Sequence, residues 1–267
     1  MKILVPTDFS ENAKNAFEFA KKIALQEKAT ITLFYAFYAV YDFAAQATEI
    51  LGQIEEEAKR ELKKAVKEGI AEGLDMDYRI VQGTVASAVT SIAYREDYDL
   101  VVMGTQGASG IKKALLGSNT GHVIKESKTA VLAIPEAAKL DKVKKISIGL
   151  ELQKEEEKYF KSLFNLTEKL GLPYEFFHIQ KENNFEKSVE FKGIQGYLKE
   201  NYPHLKFEFK LLSNEETEKG LKLYLDENED AMMVMFYKGK SFFEYLFNKS
   251  ESLKMAYHTH VPLLIIK

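Results

Sequence analysis

Short apolar runs alternate along this chain with longer stretches whose apolar residues recur every three to four positions. Lys2–Pro6 reads as a strand. Ser10 is a plausible N-cap for the stretch that follows, where Ala13, Ala16, Phe17, Ala20, Ile23 and Ala24 fall at helical spacing. Thr30–Phe37 is β-branched and aromatic, as strands are. Ile50, Ile54, Ala58, Leu62, Val66 and Ile70 then mark one stripe of a long helix. Tyr78–Val81 predicts a third strand, Val85, Val89, Ile92 and Ala93 a third helix, and Asp99–Met103 a fourth strand. Val123 and Ile124 sit on a further helix before a strand at Ala130–Pro135.

The same order then recurs. Strands are predicted at Lys145–Leu150, Tyr174–Ile179, around Phe207, Phe209 and Leu211, at Ala231–Phe236 and at Pro262–Ile266. Helices are predicted over Tyr159–Leu170, Val189–Tyr202 and around Leu221, Tyr224 and Leu225. A short connector at Glu136–Lys142 separates the halves, giving domains at 1–138 and 143–267. Alternation of strand and helix implies βαβ units and parallel sheets buried on both faces. With right-handed crossovers each half becomes a doubly wound, five-stranded α/β domain. Ligands of such sheets bind beyond the carboxyl ends of the strands, near the switch point. In the first half that places Pro6, Thr7 and Asp8, then Ala36 and Phe37, then the loop after Met103 in candidate positions.

Composition narrows the classes. The chain has 267 residues, 46% hydrophobic and 29% charged, which excludes disordered and collagen-like classes. With 37 basic and 40 acidic residues the net charge is -3, so no footprint for nucleic acid or anionic membrane is present. There is no Cys, hence no disulfide framework, thiolate metal site or thiol nucleophile. No targeting segment or apolar run of membrane-spanning length is evident, and a soluble cytoplasmic protein is expected.

Chemistry concentrates at 104–120, which runs from Gly104 through Gly107 and Gly110 to Gly117, Ser118, Asn119 and Thr120. Glycines permit positive φ and close backbone approach. Gly-Ser-Asn-Thr precedes a helical stretch, whose N–H groups and positive end suit a phosphate chain. The hydroxyls of Ser118 and Thr120 add donors. The spacing is neither a Walker A loop nor a dinucleotide fingerprint.

This loop resembles the nucleotide pattern of the universal stress protein (UspA) family, glycine-x2-glycine-x9-glycine-Ser/Thr, through Gly104, Gly107, Gly117 and Ser118. Ile3-Leu4-Val5-Pro6-Thr7-Asp8-Phe9-Ser10 resembles the family's first strand and following Asp, and Thr129–Pro135 its last strand. The resemblance spans residues 1–138. It implies a Rossmann-like, HUP-type fold and a stress-response regulatory module that binds ATP or a related adenine nucleotide, with or without Mg. Carried over, Asp8 contacts the ribose or adenine side and Ala36 the adenine ring. Gly104 and Gly107 line the nucleotide, and Gly117, Ser118, Asn119 and Thr120 hold the phosphates. Pro6, Thr7 and Met103 complete the expected site. Pairing through last strands, common in the family, implies an intrachain pseudo-dimer of Ala130–Pro135 with Leu263–Ile266, or a homo-oligomer. No catalytic residue is assigned; a slow nucleotide hydrolase is the enzymatic alternative.

The second half keeps the strand order but not the motif. Aligning Asp230 with Asp99 sets Met235, Lys238, Asn248 and Lys249 opposite Gly104, Gly107, Gly117 and Ser118, and Glu151 opposite Asp8. Side chains there are expected to block a nucleotide. The aromatic group Phe236, Tyr237, Phe242, Phe243, Tyr245 and Phe247 is either core filling or a surface for a protein or apolar ligand. Asp8 alternatively caps the first helix with Ser10. Lys112 and Lys113 are solvated or phosphate-neutralising, His122 is a weak candidate base, and His258 with His260 a weak metal pair. Glu155–Glu157 reads as a solvated helix start. Glu55–Lys59 and Glu56–Arg60 suggest opposite charges at i,i+4 on a solvated helix face.

Overall fold

The computed structural model describes residues 1–38, 44–106, 117–152, 156–181, 184–237 and 261–267. They divide into two compact units, Met1–Glu136 and Ala137–Lys267.

In the first unit the elements run β1 (Lys2–Pro6), α1 (Glu11–Glu27), β2 (Thr30–Phe37), α2 (Ala44–Ala71), β3 (Asp75–Gln82), α3 (Val85–Arg95), β4 (Leu100–Gly104), α4 (Ser118–Glu126) and β5 (Ala130–Ile134). Its strands lie in the order β3-β2-β1-β4-β5, and every pairing is parallel. The order reverses between β1 and β4, so a crevice opens there at the strands' carboxyl ends. Ile3, Leu4 and Val5 of β1 are fully buried, as are Val101 and Val102 of β4. Such unbroken apolar runs are required of strands covered by helices on both faces. The edge strand β3 alternates instead.

The second unit repeats the plan with β6 (Lys145–Gly149), α5 (Glu157–Thr167), β7 (Tyr174–Gln180), α6 (Phe185–Asn201), β8 (Phe207–Ser213), α7 (Thr217–Glu227), β9 (Ala231–Phe236) and β10 (Leu263–Ile266). Its order, β10-β9-β6-β7-β8, is that of the first unit, again parallel throughout. The expected α/β class with two doubly wound five-stranded sheets is therefore observed. A turn of 3-10 helix at Glu168–Leu170 follows α5 and ends on Gly171, whose φ of 66° needs no Cβ.

Local signals explain the start of α1, and three expectations differ from the structure. Ser10 caps α1, its hydroxyl accepting from Ala13 N–H at 3.2 Å. The α2 stripe holds only in its middle, with Ala58 2% and Leu62 0% exposed but Ile50 and Ile70 both 55% exposed. Residues repeating strictly every four positions drift about 40° per step around a helix, so the two ends of a six-residue series point away from its centre. Near the helix end Gly69 faces inward; a Cβ there would lie 2.2 Å from Met76 Sδ. The expected i,i+4 ion pairs of α2 are instead i,i+3 pairs, Lys59 with Glu56 at 3.1 Å and Arg60 with Glu57 at 3.7 Å. In the second unit Glu156 is 2% exposed, not solvated, and its carboxylate accepts from the Glu151 N–H at 3.0 Å.

Candidate functional site

The cleft of the first unit is built where β1 and β4 end. The Thr7 N–H donates to Phe34 O at 2.8 Å, carrying the β1–β2 ladder one residue past the strand. The chain then turns sharply, with Phe9 in the left-handed region at φ 63°. Two side chains hold that turn: Thr7 Oγ1 accepts from Phe9 N–H at 3.0 Å, and Asp8 Oδ1 from Ser10 N–H at 3.1 Å. Such local bonds compensate a conformation costly for a residue with a Cβ. Asp8 thus shapes the turn before α1 while its side chain stays exposed at the strand's carboxyl end. Phe9 stacks on Tyr35 with ring centres 5.1 Å apart. Burial, then the nearby Asp8 charge, raise the Tyr35 phenol above its ordinary range.

Across the crevice, the Thr105 N–H continues the β4–β5 ladder by donating to Ile134 O at 3.0 Å. The chain returns at Gly117, whose N–H donates to Thr105 O at 2.6 Å. Gly117 is the N-cap of α4, with φ -56° and ψ 150°, and makes no side-chain cap hydrogen bond. The first N–H groups of a helix have no intrahelical acceptor, so this end presents donors and a positive dipole to the cleft. Thr120 is 3% exposed and its hydroxyl donates to Gly104 O at 2.7 Å. This corrects the sequence expectation for Thr120: its hydroxyl ties α4 to β4 and is not a spare phosphate donor. The glycine argument also changes. Positive φ occurs at Gly73, Gly83 and Gly171, but not at the described motif glycines. Gly104 is needed for close approach, since a Cβ there would lie 2.4 Å from Asn12 Oδ1.

Pro6, Thr7, Asp8, Ala36, Met103, Gly104, Gly117, Ser118, Asn119 and Thr120 all line this one cleft. Of the eleven candidate positions only Gly107 is missing, because it lies outside the described residues. Ala13, Phe34, Val85 and Gln106 also line it. Val85 opens α3 directly after β3, so the rule that selected Ala36 would have reached it. Gln106 belongs to the loop after Met103 that the same rule marked, whereas Ala13 carried no comparable signal. Asp8 is the single charged residue among those described in the lining. A polyanion here must therefore be met by backbone N–H groups, the α4 dipole and neutral side-chain donors such as Ser118 and Asn119, so far as the described residues go. Those donors fit a phosphate chain. No group of three or more His, Asp or Glu side chains able to hold a metal occurs among the described residues. His122 is exposed on α4 and does not line the cleft. Lys112, Lys113, His258 and His260 lie outside the described residues.

Among the described residues, the second unit reproduces the strand ends and the first turn of this site, with a bulky side chain at one glycine position. Its Leu150 N–H donates to Phe177 O at 2.8 Å, as Thr7 does to Phe34. Leu152 then turns left-handed at φ 54°, as Phe9 does. The Tyr237 N–H donates to Ile266 O at 2.8 Å, as Thr105 does to Ile134. Because Gly104 pairs with Ile134 and Phe236 with Ile266, Phe236 stands where the first unit has Gly104. The sequence alignment that put Met235 there is one residue out of register. Phe236 is 3% exposed. It stacks on Tyr159 at 5.1 Å and meets Phe160 edge-on at 5.8 Å. The Tyr159 hydroxyl donates to Tyr237 O at 3.0 Å. Lys267 Nζ lies 3.6 Å from the centre of the Tyr237 ring, and burial lowers its pKa to about 8. Phe236 is thus core filling; Gly239, Lys240, Ser241, Phe242, Phe243, Tyr245 and Phe247 lie outside the described residues, as do Lys238, Asn248 and Lys249.

A doubly wound α/β domain with a glycine-lined cleft at its switch point and an uncapped helix aimed into it defines a class of small-ligand-binding domains. The family model of the universal stress protein family matches residues 1–135. The chain belongs to that family. It is similar to universal stress protein MJ0531 of Methanocaldococcus jannaschii, 31% identical over 145 residues, covering 52% of this chain and 84% of that protein. Universal stress protein MJ0577 of the same organism is 29% identical over 154 residues, covering 50% of this chain and 93% of that protein. The crystal structure of a universal stress protein from Archaeoglobus fulgidus matches 100% of this chain and 98% of its own, with TM-score 0.81 and 17% identity, which shows the shared fold. Among the described residues no helix is long and apolar enough to cross a membrane.

Proposed function

We propose that the first unit binds an adenine nucleotide, ATP in the first instance, and acts as a nucleotide-responsive regulatory module. In this reading, Pro6, Thr7, Asp8 and Ala36 hold the nucleoside side, Met103, Gly104 and Gly107 line the middle, and Gly117, Ser118, Asn119 and the backbone of Thr120 hold the phosphates. The observation that carries it is the convergence of ten of the eleven candidate residues on one cleft against the uncapped start of α4. The second unit is proposed to be a degenerate copy that binds no nucleotide in this manner, supported by Phe236 at the Gly104 position.

The test is the melting temperature of the full chain in millimolar ATP, AMP or inorganic phosphate. Binding to the native state must raise it, by about 2.7 kcal/mol of stability at a hundredfold excess over Kd. ATP and AMP are expected to raise it while phosphate does not. No shift with any nucleotide would refute the proposal. Steady phosphate release from ATP, lost with Gly117→Val, would favour the hydrolase reading instead.

A further inference from the structure

The first glycine of the loop motif faces a side chain as well as the cleft. A Cβ at Gly104 would lie 2.4 Å from Asn12 Oδ1, 2.8 Å from Asn12 Cγ and 3.1 Å from the Asn12 carbonyl oxygen. Contacts below 3 Å force something to move, and Asn12 is poorly placed to do so. It is 5% exposed, in the first turn of α1. Its Nδ2 donates to Ile134 O at 3.0 Å, and its Oδ1 accepts from the Gln106 N–H at 2.8 Å. These two bonds join segments 122 and 94 residues apart in sequence. One amide therefore ties the start of α1, the end of β5 and the point where the chain leaves β4. Swinging it aside to admit a Cβ would unpair the amide and the Gln106 N–H in a partly dry site.

We propose that Asn12 is a positioning residue for the β4 end of the nucleotide cleft, and that glycine is required at 104 by the Asn12 brace rather than by the ligand. The inference rests on the nucleotide reading above. It gives Asn12 two linked roles. It fixes the direction in which the chain leaves Thr105 and Gln106 toward Gly117, and so where the α4 donors stand relative to Asp8. It also consumes the Gln106 N–H, which leaves phosphate recognition to the start of α4. Local sequence hides the pairing, because the two residues are 92 positions apart and neither the helix period nor the glycine spacing links them.

The test compares four full-length proteins: the unmodified chain, Asn12→Ala, Gly104→Ala and the double variant. ATP affinity is measured by calorimetry well below each melting point, where a role limited to stability would leave affinity unchanged. Exchange of the Gln106 amide proton is followed by NMR. Each single substitution is expected to weaken ATP about tenfold, the size of one lost hydrogen bond of this kind. Gln106 exchange should accelerate in Asn12→Ala. The double variant should bind no more weakly than Asn12→Ala, since the new methyl enters the space that the amide has left. Asn12→Asp keeps the acceptor and should preserve Gln106 protection. If Gly104→Ala fails to fold, recovery of folding in the Asn12→Ala background supports the brace, and no recovery overturns it. Multiplying losses, about a hundredfold in the double variant, would overturn it, as would a Gln106 amide indifferent to Asn12→Ala. If the unmodified chain binds no ATP, the function proposed above fails by itself. The coupling between residues 12 and 104 is then still decided by Gln106 exchange and by the four melting temperatures.

Discussion

The ends of β4 and β9 occupy the same place in two sheets of one topology, yet one borders a cleft and the other a packed aromatic cluster. At the described strand ends and first turns the backbone is the same in both. The ladders run one residue past the strands, at Thr7 and Leu150 and at Thr105 and Tyr237. The turns after β1 and β6 both pass through a left-handed non-glycine residue, Phe9 and Leu152. At this one position side-chain volume differs. Gly104 leaves room that Asn12 and the cleft share, whereas Phe236 fills it and recruits Tyr159 and Phe160. One residue at the end of a central strand thus decides whether helix and sheet meet there with a small polar contact or with an aromatic stack.

The comparison can be broken at its filled end first. Phe236→Ala should remove the centre of the aromatic stack and cost about 3–5 kcal/mol, read from denaturant unfolding of the second unit. It should not create nucleotide binding, because emptying a cavity supplies no donors. A gain of ATP affinity would mean that volume alone separates the two units.

A second difference lies deeper in the sheets. In the first unit the Tyr98 hydroxyl donates to Thr32 Oγ1 at 2.9 Å. The second has a buried carboxylate on β7, Glu175, 3.0 Å from Lys145 Nζ and 2.7 Å from Lys210 Nζ, with the Tyr224 hydroxyl also donating to it. Burial pushes the Glu175 carboxyl up, but bonds from Lys210, Tyr224 and Lys145 outweigh it and hold it below its ordinary 4.5. A depressed folded-state pKa contributes stability above the unfolded value and loses it as pH falls through the folded one. The second unit should therefore lose stability progressively below about pH 4.5, and Glu175→Gln should flatten that slope. The same substitution at neutral pH should cost about 2–3 kcal/mol, less than for a fully buried pair because Lys210 is 44% exposed. Acid unfolding profiles of the two proteins check both statements.

Smaller effects sharpen the first unit. Ser10→Ala should cost about 1 kcal/mol in thermal unfolding through loss of the α1 cap. If it weakens ATP by more than that loss predicts, the cap also shapes the Asp8 turn. Arg79→Ala, which removes the rim ion pair with Glu96, should change stability by less than about 1 kcal/mol and leave ATP affinity unchanged.

Much of this was legible in the residues. The apolar and β-branched runs of β1, β2 and β9 are continuous, and their ends match the observed strands Lys2–Pro6, Thr30–Phe37 and Ala231–Phe236. The topological rule gathered the candidate residues because it depends on strand ends, which short apolar runs mark well. Four features were not legible. Ile50 and Ile70 looked like core, but a strict four-residue repeat walks around its helix. Phe236 was misaligned with its counterpart because strand register is set by hydrogen bonds, which sequence anchors leave free by a residue. Glu156 read as solvated because a burial that depends on one backbone N–H, that of Glu151, leaves no periodic trace. Asn12 stayed unnoticed for the same reason.

The central claim is that only the cleft between β1 and β4 takes a nucleotide. Calorimetric titration of the full chain with ATP tests it most directly, run beside Gly104→Phe, which carries the residue of the filled end into the open one. One site per chain is predicted, with binding abolished in the variant. Two sites per chain, or one that survives Gly104→Phe, would contradict it.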